Sequence, residues 1–196
     1  MLTSLPRLLI ERVYEHRARW ATRRLLRLIR PGDSVIDIGA GDCRVDRLLQ
    51  RRGQCVVTPV DVEDFNRTEL TLQIFDGKRL PFDDDTFDVG LFLFVLHHAQ
   101  DVASVLAEAR RVCRRHVIVF EDIIVTWRDR KTFRWFHRWL TWSEKIGYPF
   151  REWTPDEWTK LAESVGLKEE SRNELGRDIG PIASRHIAFV WRKTEA

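Results

Sequence analysis

Ser34-Val35-Ile36-Asp37-Ile38-Gly39-Ala40-Gly41 reads as a short apolar strand running straight into a glycine turn. Behind the turn, Val45, Leu48 and Leu49 recur at helical spacing, so the unit is strand, glycine turn, helix. Two glycines let the backbone approach a ligand closely, and the helix that follows aims its unpaired amides at the same place. Gly39-x-Gly41 alone is a weak signal. It gains weight from Asp61, twenty residues beyond Gly41 and at the end of the next apolar run, Cys55 to Val60. There a carboxylate can accept hydrogen bonds from both hydroxyls of a ribose. The unit reads as a site for a nucleoside-containing cofactor.

Outward from this unit the pattern repeats. Leu72 to Phe75 is a third apolar run, closed by Asp76-Gly77, and two more strands are predicted over Phe87 to Leu96 and Val117 to Phe120. Between those two, Val102, Val105, Leu106, Ala109 and Val112 line one helical face. Strands alternating with helices predict an α/β fold with a doubly wound, mostly parallel sheet. Pro59 lacks a ladder donor and is placed near the end of its strand, where the loss is tolerated.

Upstream, residues 5–30 read as one or two amphipathic helices, stopped by Pro31-Gly32. Downstream, Trp127 to Tyr148 is aromatic and basic, with Trp135, Trp139 and Trp142 at helical spacing. Thr154-Pro155-Asp156-Glu157 then starts a helix: Thr154 caps, Pro155 suits the first turn and Glu157 completes a capping box. That helix ends at Gly166. A weak strand over Lys168 to Asn173 and a last one over His186 to Trp191 complete the chain.

With 196 residues, 43% of them hydrophobic, one core is affordable and two ordinary domains are not. The expected organisation is one domain over 1–196. It comprises an N-terminal helical extension (1–30), a cofactor-binding core (33–122), an aromatic, basic lid-like insertion (123–153) and a C-terminal helix with strands (154–196). No apolar run approaches the roughly 20 residues of a membrane-spanning helix, so a soluble chain is expected. Three cysteines, Cys43, Cys55 and Cys113, match neither a disulfide framework nor a zinc pattern. The expectation is a cytoplasmic protein without a metal. Eight arginines in the first thirty residues, against Glu11 and Glu15, fit either an anionic partner or a solvated helix face.

The type of cofactor follows from two further residues. A dinucleotide turn needs glycine at position 44, and the chain has Arg44; Asp37 would add negative charge beside a pyrophosphate. A carboxylate there suits a cofactor that carries an ammonium group.

Val35-Ile36-Asp37-Ile38-Gly39-Ala40-Gly41-Asp42-Cys43 resembles the first motif of class I methyltransferases. The segment Asp76-Gly77-Lys78-Arg79-Leu80-Pro81-Phe82-Asp83-Asp84-Asp85-Thr86-Phe87-Asp88-Val89 resembles the approach to their fourth strand. Phe94-Val95-Leu96-His97-His98 is similar to the corresponding segment of members that act on small molecules, quinones among them. Order and spacing agree over about residues 33–122, and the capped helix at 154 fits as well. The resemblance implies a Rossmann-like, seven-stranded sheet with an antiparallel C-terminal strand. It also implies S-adenosylmethionine as cofactor, S-adenosylhomocysteine as product and a small-molecule acceptor of unspecified identity. On the matching positions, Asp37 would meet the methionine ammonium and the backbone of Gly39, Ala40 and Gly41 would pass beside the methionine portion. Asp61 would hold the ribose and Asp76 the adenine amino group, with Gly77 contributing backbone. Val62 and Phe94 would flank the adenosyl group.

Three departures stand out. Cys43 replaces the third glycine, the interval from Asp61 to Asp76 leaves little room for a helix, and Arg114-Arg115-His116 stands where the family has a Pro-Gly-Gly turn.

His97 and His98 are the candidate catalytic bases, because an imidazole titrates near neutrality; the alternative is a histidine pair that packs or caps. Glu121 and Asp122, on the same strand edge, are second in line. The tryptophans and cations of 127–153 suit a lid over an apolar acceptor, peripheral contact with a membrane surface, or plain packing onto the sheet, and the N-terminal arginines carry the same ambiguity, with Tyr14 and Trp20 as possible lid contacts. A nicotinamide-dependent reductase and a binding module without turnover are the rival readings. A nucleic-acid substrate is not expected, because no Asp/Asn-Pro-Pro-aromatic segment is present.

Overall fold

The computed structural model describes residues 4–53, 55–123, 126–131, 153–177 and 185–194, with side chains from residue 10 onward. In chain order the elements are α1 (Ser4–Leu25), β1 (Ser34–Ile38), α2 (Arg44–Gly53), β2 (Val56–Asp61), β3 (Gln73–Ile74) and β4 (Phe87–Leu93). A 3-10 turn (Leu96–His98), α3 (Val102–Val112) and β5 (Cys113–Ile123) follow. The last elements are α4 (Pro155–Ser164), β6 (Leu167–Gly176) and β7 (Arg185–Lys193).

The seven strands form one sheet in the order β3-β2-β1-β4-β5-β7-β6. Every pairing is parallel except those of β7, which runs antiparallel to both β5 and β6. The expected fold class is therefore the observed one. Strand order reverses between β1 and β4, which opens the crevice at the carboxyl edge where such sheets bind ligands.

Alternation along each strand divides the core between the two faces. Ile36 and Ile38 of β1 join Val117 and Val119 of β5, Leu106 and Ala109 of α3 and Trp158 of α4 on one face. Val35 joins Leu91, Ile118 and Phe120 with Ala21 and Leu25 of α1 and Leu49 of α2 on the other. α4 starts as read, with Thr154 accepting from Glu157 N and Glu157 answering at Thr154 N.

Several boundaries differ from the expectation, each for a local reason. The N-terminal segment is one helix whose backbone bonding runs on past Leu25, Ile29 N donating to Leu25 O (2.9 Å). β4 stops at Leu93, not Leu96, because Phe94 takes φ +60° and turns the chain out of the sheet. β5 starts four residues earlier than Val117. Its polar start is held by partners at the sheet's amino edge: Arg114 on Asp88, Arg115 on Asp33 and His116 on Glu170. Between β2 and β3 there is no helix, as the short interval implied. Pro59 lies inside β2, beside Asp37 of β1. Val60 O bonds toward β1 and Asp61 O toward β3, so Pro59 faces the β3 side, where pairing begins only at Val60. No ladder bond is lost there. Of the segment 123–153, all but 123, 126–131 and 153 lies outside the described residues.

Candidate functional site

β1, β2, β3, β4 and β5 all end on the same edge of the sheet, and the residues singled out in the sequence sit at those ends. The glycine turn is pinned to β2: Gly39 N and Ala40 N both donate to Val60 O, at 2.8 and 3.1 Å. Gly39 (φ +83°) and Gly41 (φ +56°) adopt backbone that favours glycine. A Cβ on Gly39 would lie 2.4 Å from Val95 Cγ2, so the turn and the segment after β4 press directly on each other. Cys43 takes φ +58° as well, the conformation of the glycine it replaces, and burial pushes its thiol pKa up, which makes it a packing residue.

Asp61 is turned back onto this loop. Oδ2 accepts from Gly41 N (2.8 Å) and Oδ1 from Val62 N (2.7 Å), which fixes the carboxylate while leaving lone pairs for further donors. Burial raises its pKa, and the Gly41 and Val62 amides work against that rise. Phe75 N bonds Asp61 O (3.0 Å), bringing the end of β3 alongside. A Cβ on Gly77 would stand 3.2 Å from Val62 Cγ1, so Val62 and Gly77 are neighbours. Asp76 Oδ1 accepts from Lys78 N (2.8 Å) and Arg79 N (2.9 Å), and these bonds lower its pKa. Asp37 is 1% exposed, and its Oδ1 is buried without a donor.

On the β4 and β5 side, His97 Nδ1 lies 2.6 Å from Glu121 Oε2, and Leu96 N donates to Glu121 Oε1 (2.7 Å). His97 is 1% and Glu121 0% exposed. Burial works to lower the His97 pKa, but the Glu121 carboxylate outweighs it and the net shift is upward. His98 is half-buried, and its ring lies against that of His97 with centroids 4.1 Å apart and planes tilted by 43°. On the opposite face, His186 Nδ1 lies 2.6 Å from Asp122 Oδ1, and its ring meets Phe94 (4.9 Å) and Trp20 (5.4 Å) edge-on. The Arg17 guanidinium covers the Phe94 ring at 4.6 Å. The structure thus brings Asp37, Gly39, Ala40, Gly41, Asp61, Val62, Asp76, Gly77 and Phe94 to one edge, with His97 and His98 beside them.

A family model described as a methyltransferase domain matches residues 36–120. The demethylmenaquinone methyltransferase of Thermobifida fusca is 30% identical over 176 residues, 82% of this chain and 72% of that protein. The chain belongs to the class I S-adenosylmethionine-dependent methyltransferases. A demethylmenaquinone methyltransferase of Streptomyces avermitilis is 33% identical over 112 residues, 53% of this chain and 48% of that protein, so the chain spans about half the length of that relative. A methyltransferase from Aquifex aeolicus shares the fold, with TM-score 0.65 and 14% identity over 88% of this chain and 89% of that one.

The cofactor is S-adenosylmethionine, and the residues present fit it. The Asp37 oxygen without a donor suits an ammonium, the bare backbone at Gly39 and Gly41 leaves room for a chain to pass, and Asp61 is already oriented at its strand end. For this methyltransferase the sequence reading left four residues at the same edge without a place in the site: Asp46 and His186, which it did not single out, and Arg17 and Trp20, which it held only among the N-terminal arginines and as a possible lid contact. Asp46 carried a signal, a carboxylate between Val45 and Leu48 on a helix whose apolar stripe is buried, but an acid in a first turn reads as an ordinary dipole partner. The other three come from elements too remote in sequence to be joined by spacing. Of the aromatic, basic segment, Trp127 is 65% exposed with Arg128 and Lys131 near its ring, while Trp153 packs on Trp158. No described helix is long and apolar enough to cross a membrane.

Proposed function

We propose that this chain transfers a methyl group from S-adenosylmethionine to a small, apolar, ring-bearing acceptor by direct displacement, with His97 as general base. The convergence of Asp37, the glycine turn and Asp61 at one strand edge carries the reading. Asp37 would hold the ammonium, Gly39 to Gly41 the methionine backbone, Asp61 the ribose, and Val62 with Asp76-Gly77 the adenine.

The bound sulfonium supplies an already activated methyl group. What remains for the protein is to align the acceptor, exclude water and take up a proton. Glu121 accepts from His97 Nδ1, which leaves Nε2 as the basic nitrogen of the neutral ring. Phe94, Trp20 and the Arg17 guanidinium give the neighbouring edge an aromatic, cationic character suited to an acidic hydroxyl on a flat ring. The names of the relatives, which specify demethylmenaquinone, support an acceptor of this kind.

The test is a thermal-shift comparison. A ligand that binds only the native state raises its stability, by about 2.7 kcal/mol at a hundredfold excess over Kd. S-Adenosylmethionine and S-adenosylhomocysteine should stabilise the protein, NAD(H) should not, and Asp61→Ala should lose most of the shift. Stabilisation by NAD(H) alone would turn the assignment toward a reductase. Labelled methyl transfer to demethylated quinones then tests the acceptor.

A further inference from the structure

We propose that Asp46 shares a proton with Asp37 in the ligand-free protein, and that the two carboxyls together form one monoanionic clamp for the ammonium of the bound nucleoside. The inference rests on the reading of Asp37 given above and adds Asp46 to it as a positioning residue.

Asp46 stands in the first turn of α2, behind the turn that begins at the end of β1, and is fully buried (0% exposed). Asp37 Oδ1 and both Asp46 oxygens are buried, and among the described residues no N–H or hydroxyl donates to any of the three. Two ionised carboxylates in contact in such a place would each lack a donor and repel each other. A single proton between them removes both faults, because the protonated member donates to the other.

Among the described residues no nearby cation does this work. Arg44 is engaged by Glu11 of α1 and Asp42 of the turn, and Arg47 by Glu15. The other groups that face the pair are Asp61 from β2, Asp42 from the turn and the neutral Cys43 thiol, with Glu11 and Glu15 of α1 acting on Asp42 behind them. The surroundings favour an added positive charge. Burial first, then repulsion from Asp46 and Asp61, holds the Asp37 pKa well above the ordinary carboxylate range. Burial also pushes Asp46 up to about 7, the hydrogen bond from Asp37 working in the opposite direction. A pair that keeps one proton carries one negative charge, equal and opposite to one ammonium. Below neutrality it takes up a second proton and the match is lost.

Titration calorimetry at pH 6 and pH 8, in buffers of different ionisation enthalpy, tests this with two probes. S-Adenosylhomocysteine carries the ammonium; 5′-methylthioadenosine lacks the amino-acid portion. For the wild type, S-adenosylhomocysteine should bind about tenfold more weakly at pH 6 than at pH 8 and release close to one proton at pH 6. 5′-Methylthioadenosine should show neither effect. In Asp46→Asn the amide donates to Asp37 and keeps it charged, so the affinity ratio should fall to about one and proton release should vanish. The wild-type comparison of the two probes stands even if the variant does not fold. S-Adenosylhomocysteine binding without pH dependence or proton release in the wild type would overturn the proposal, as would an unchanged ratio in a folded Asp46→Asn. A wild type that binds no S-adenosylhomocysteine at either pH would instead overturn the cofactor reading beneath it.

Discussion

Gly39 and Gly41 share a motif but not a function in packing. Both have positive φ, yet a Cβ at Gly41 meets nothing within 4 Å, whereas one at Gly39 collides with Val95. Gly41→Ala should therefore cost only the strain of a left-handed alanine, about 1–2 kcal/mol. Gly39→Ala must also displace Val95 and with it Phe94 and His97, so urea melts should show the larger loss there, together with the loss of S-adenosylhomocysteine binding. Equal effects at the two positions would mean that the contact with Val95 has no energetic weight. His97→Gln keeps a donor for Glu121 while removing the base. It should lower turnover by about 10²- to 10⁴-fold with nucleoside binding intact. The upward shift of the His97 pKa places the acid limb of the wild-type rate profile above the ordinary imidazole range. The positions at this scale that were legible in the sequence, Asp37, Gly39, Gly41 and Asp61, are those placed by the backbone of two neighbouring strands, β1 and β2, and the turn after β1. Asp46 and His186 were not legible, and Arg17 and Trp20 were legible only as lid candidates, because their places depend on how α1, α2 and β7 pack.

Among the elements, those with a chemical stop signal were the easiest to delimit. Thr154 and Glu157 announced the start of α4 in sequence, and both halves of the capping box are present. Thr154→Ala should destabilise the protein by about 1 kcal/mol, visible as a lower urea midpoint with an unchanged slope. No change would mean that packing of Trp158 alone sets the helix. The strand ends were harder. Phe87 to Leu96 is apolar throughout, and hydrophobicity carries no mark of the left-handed Phe94 that ends β4. Conversely Arg114, Arg115 and His116 look like a loop, but each finds a carboxylate from another element, which lets β5 begin among charged residues. The short β3 follows the expectation set by the interval from Asp61 to Asp76: Phe75 N reaches Asp61 O without an intervening helix.

For the molecule as a whole, the cofactor site and stability pull in opposite directions, and pH exposes the conflict. A carboxyl whose proton is held more tightly in the folded than in the unfolded chain contributes stability that is whole below about pH 4 and drains away as pH rises through the folded pKa. Asp37 and Asp46 are of this kind, the latter with its pKa pushed up to about 7. His97, also raised, acts in the same sense, its contribution fading as pH climbs beyond the imidazole range. Asp88 and Glu108 act oppositely. Backbone hydrogen bonding to Ser34 N leads the lowering at Asp88 and the Arg111 guanidinium leads it at Glu108, so their contributions are lost only as pH falls below the ordinary carboxylate values. The ligand-free protein should therefore be most stable at mildly acid pH and lose melting temperature steadily toward pH 8. Asp46→Asn leaves the single charge on Asp37 and removes the group that takes up the second proton, so its melting temperature should change less between pH 5 and pH 8 than that of the wild type. An unchanged slope would show that Asp46 does not titrate in the folded protein over this range. If the slope flattens, the same proton uptake that weakens ammonium binding below neutrality is what stabilises the ligand-free protein there, so the two demands meet on one pair of carboxyls.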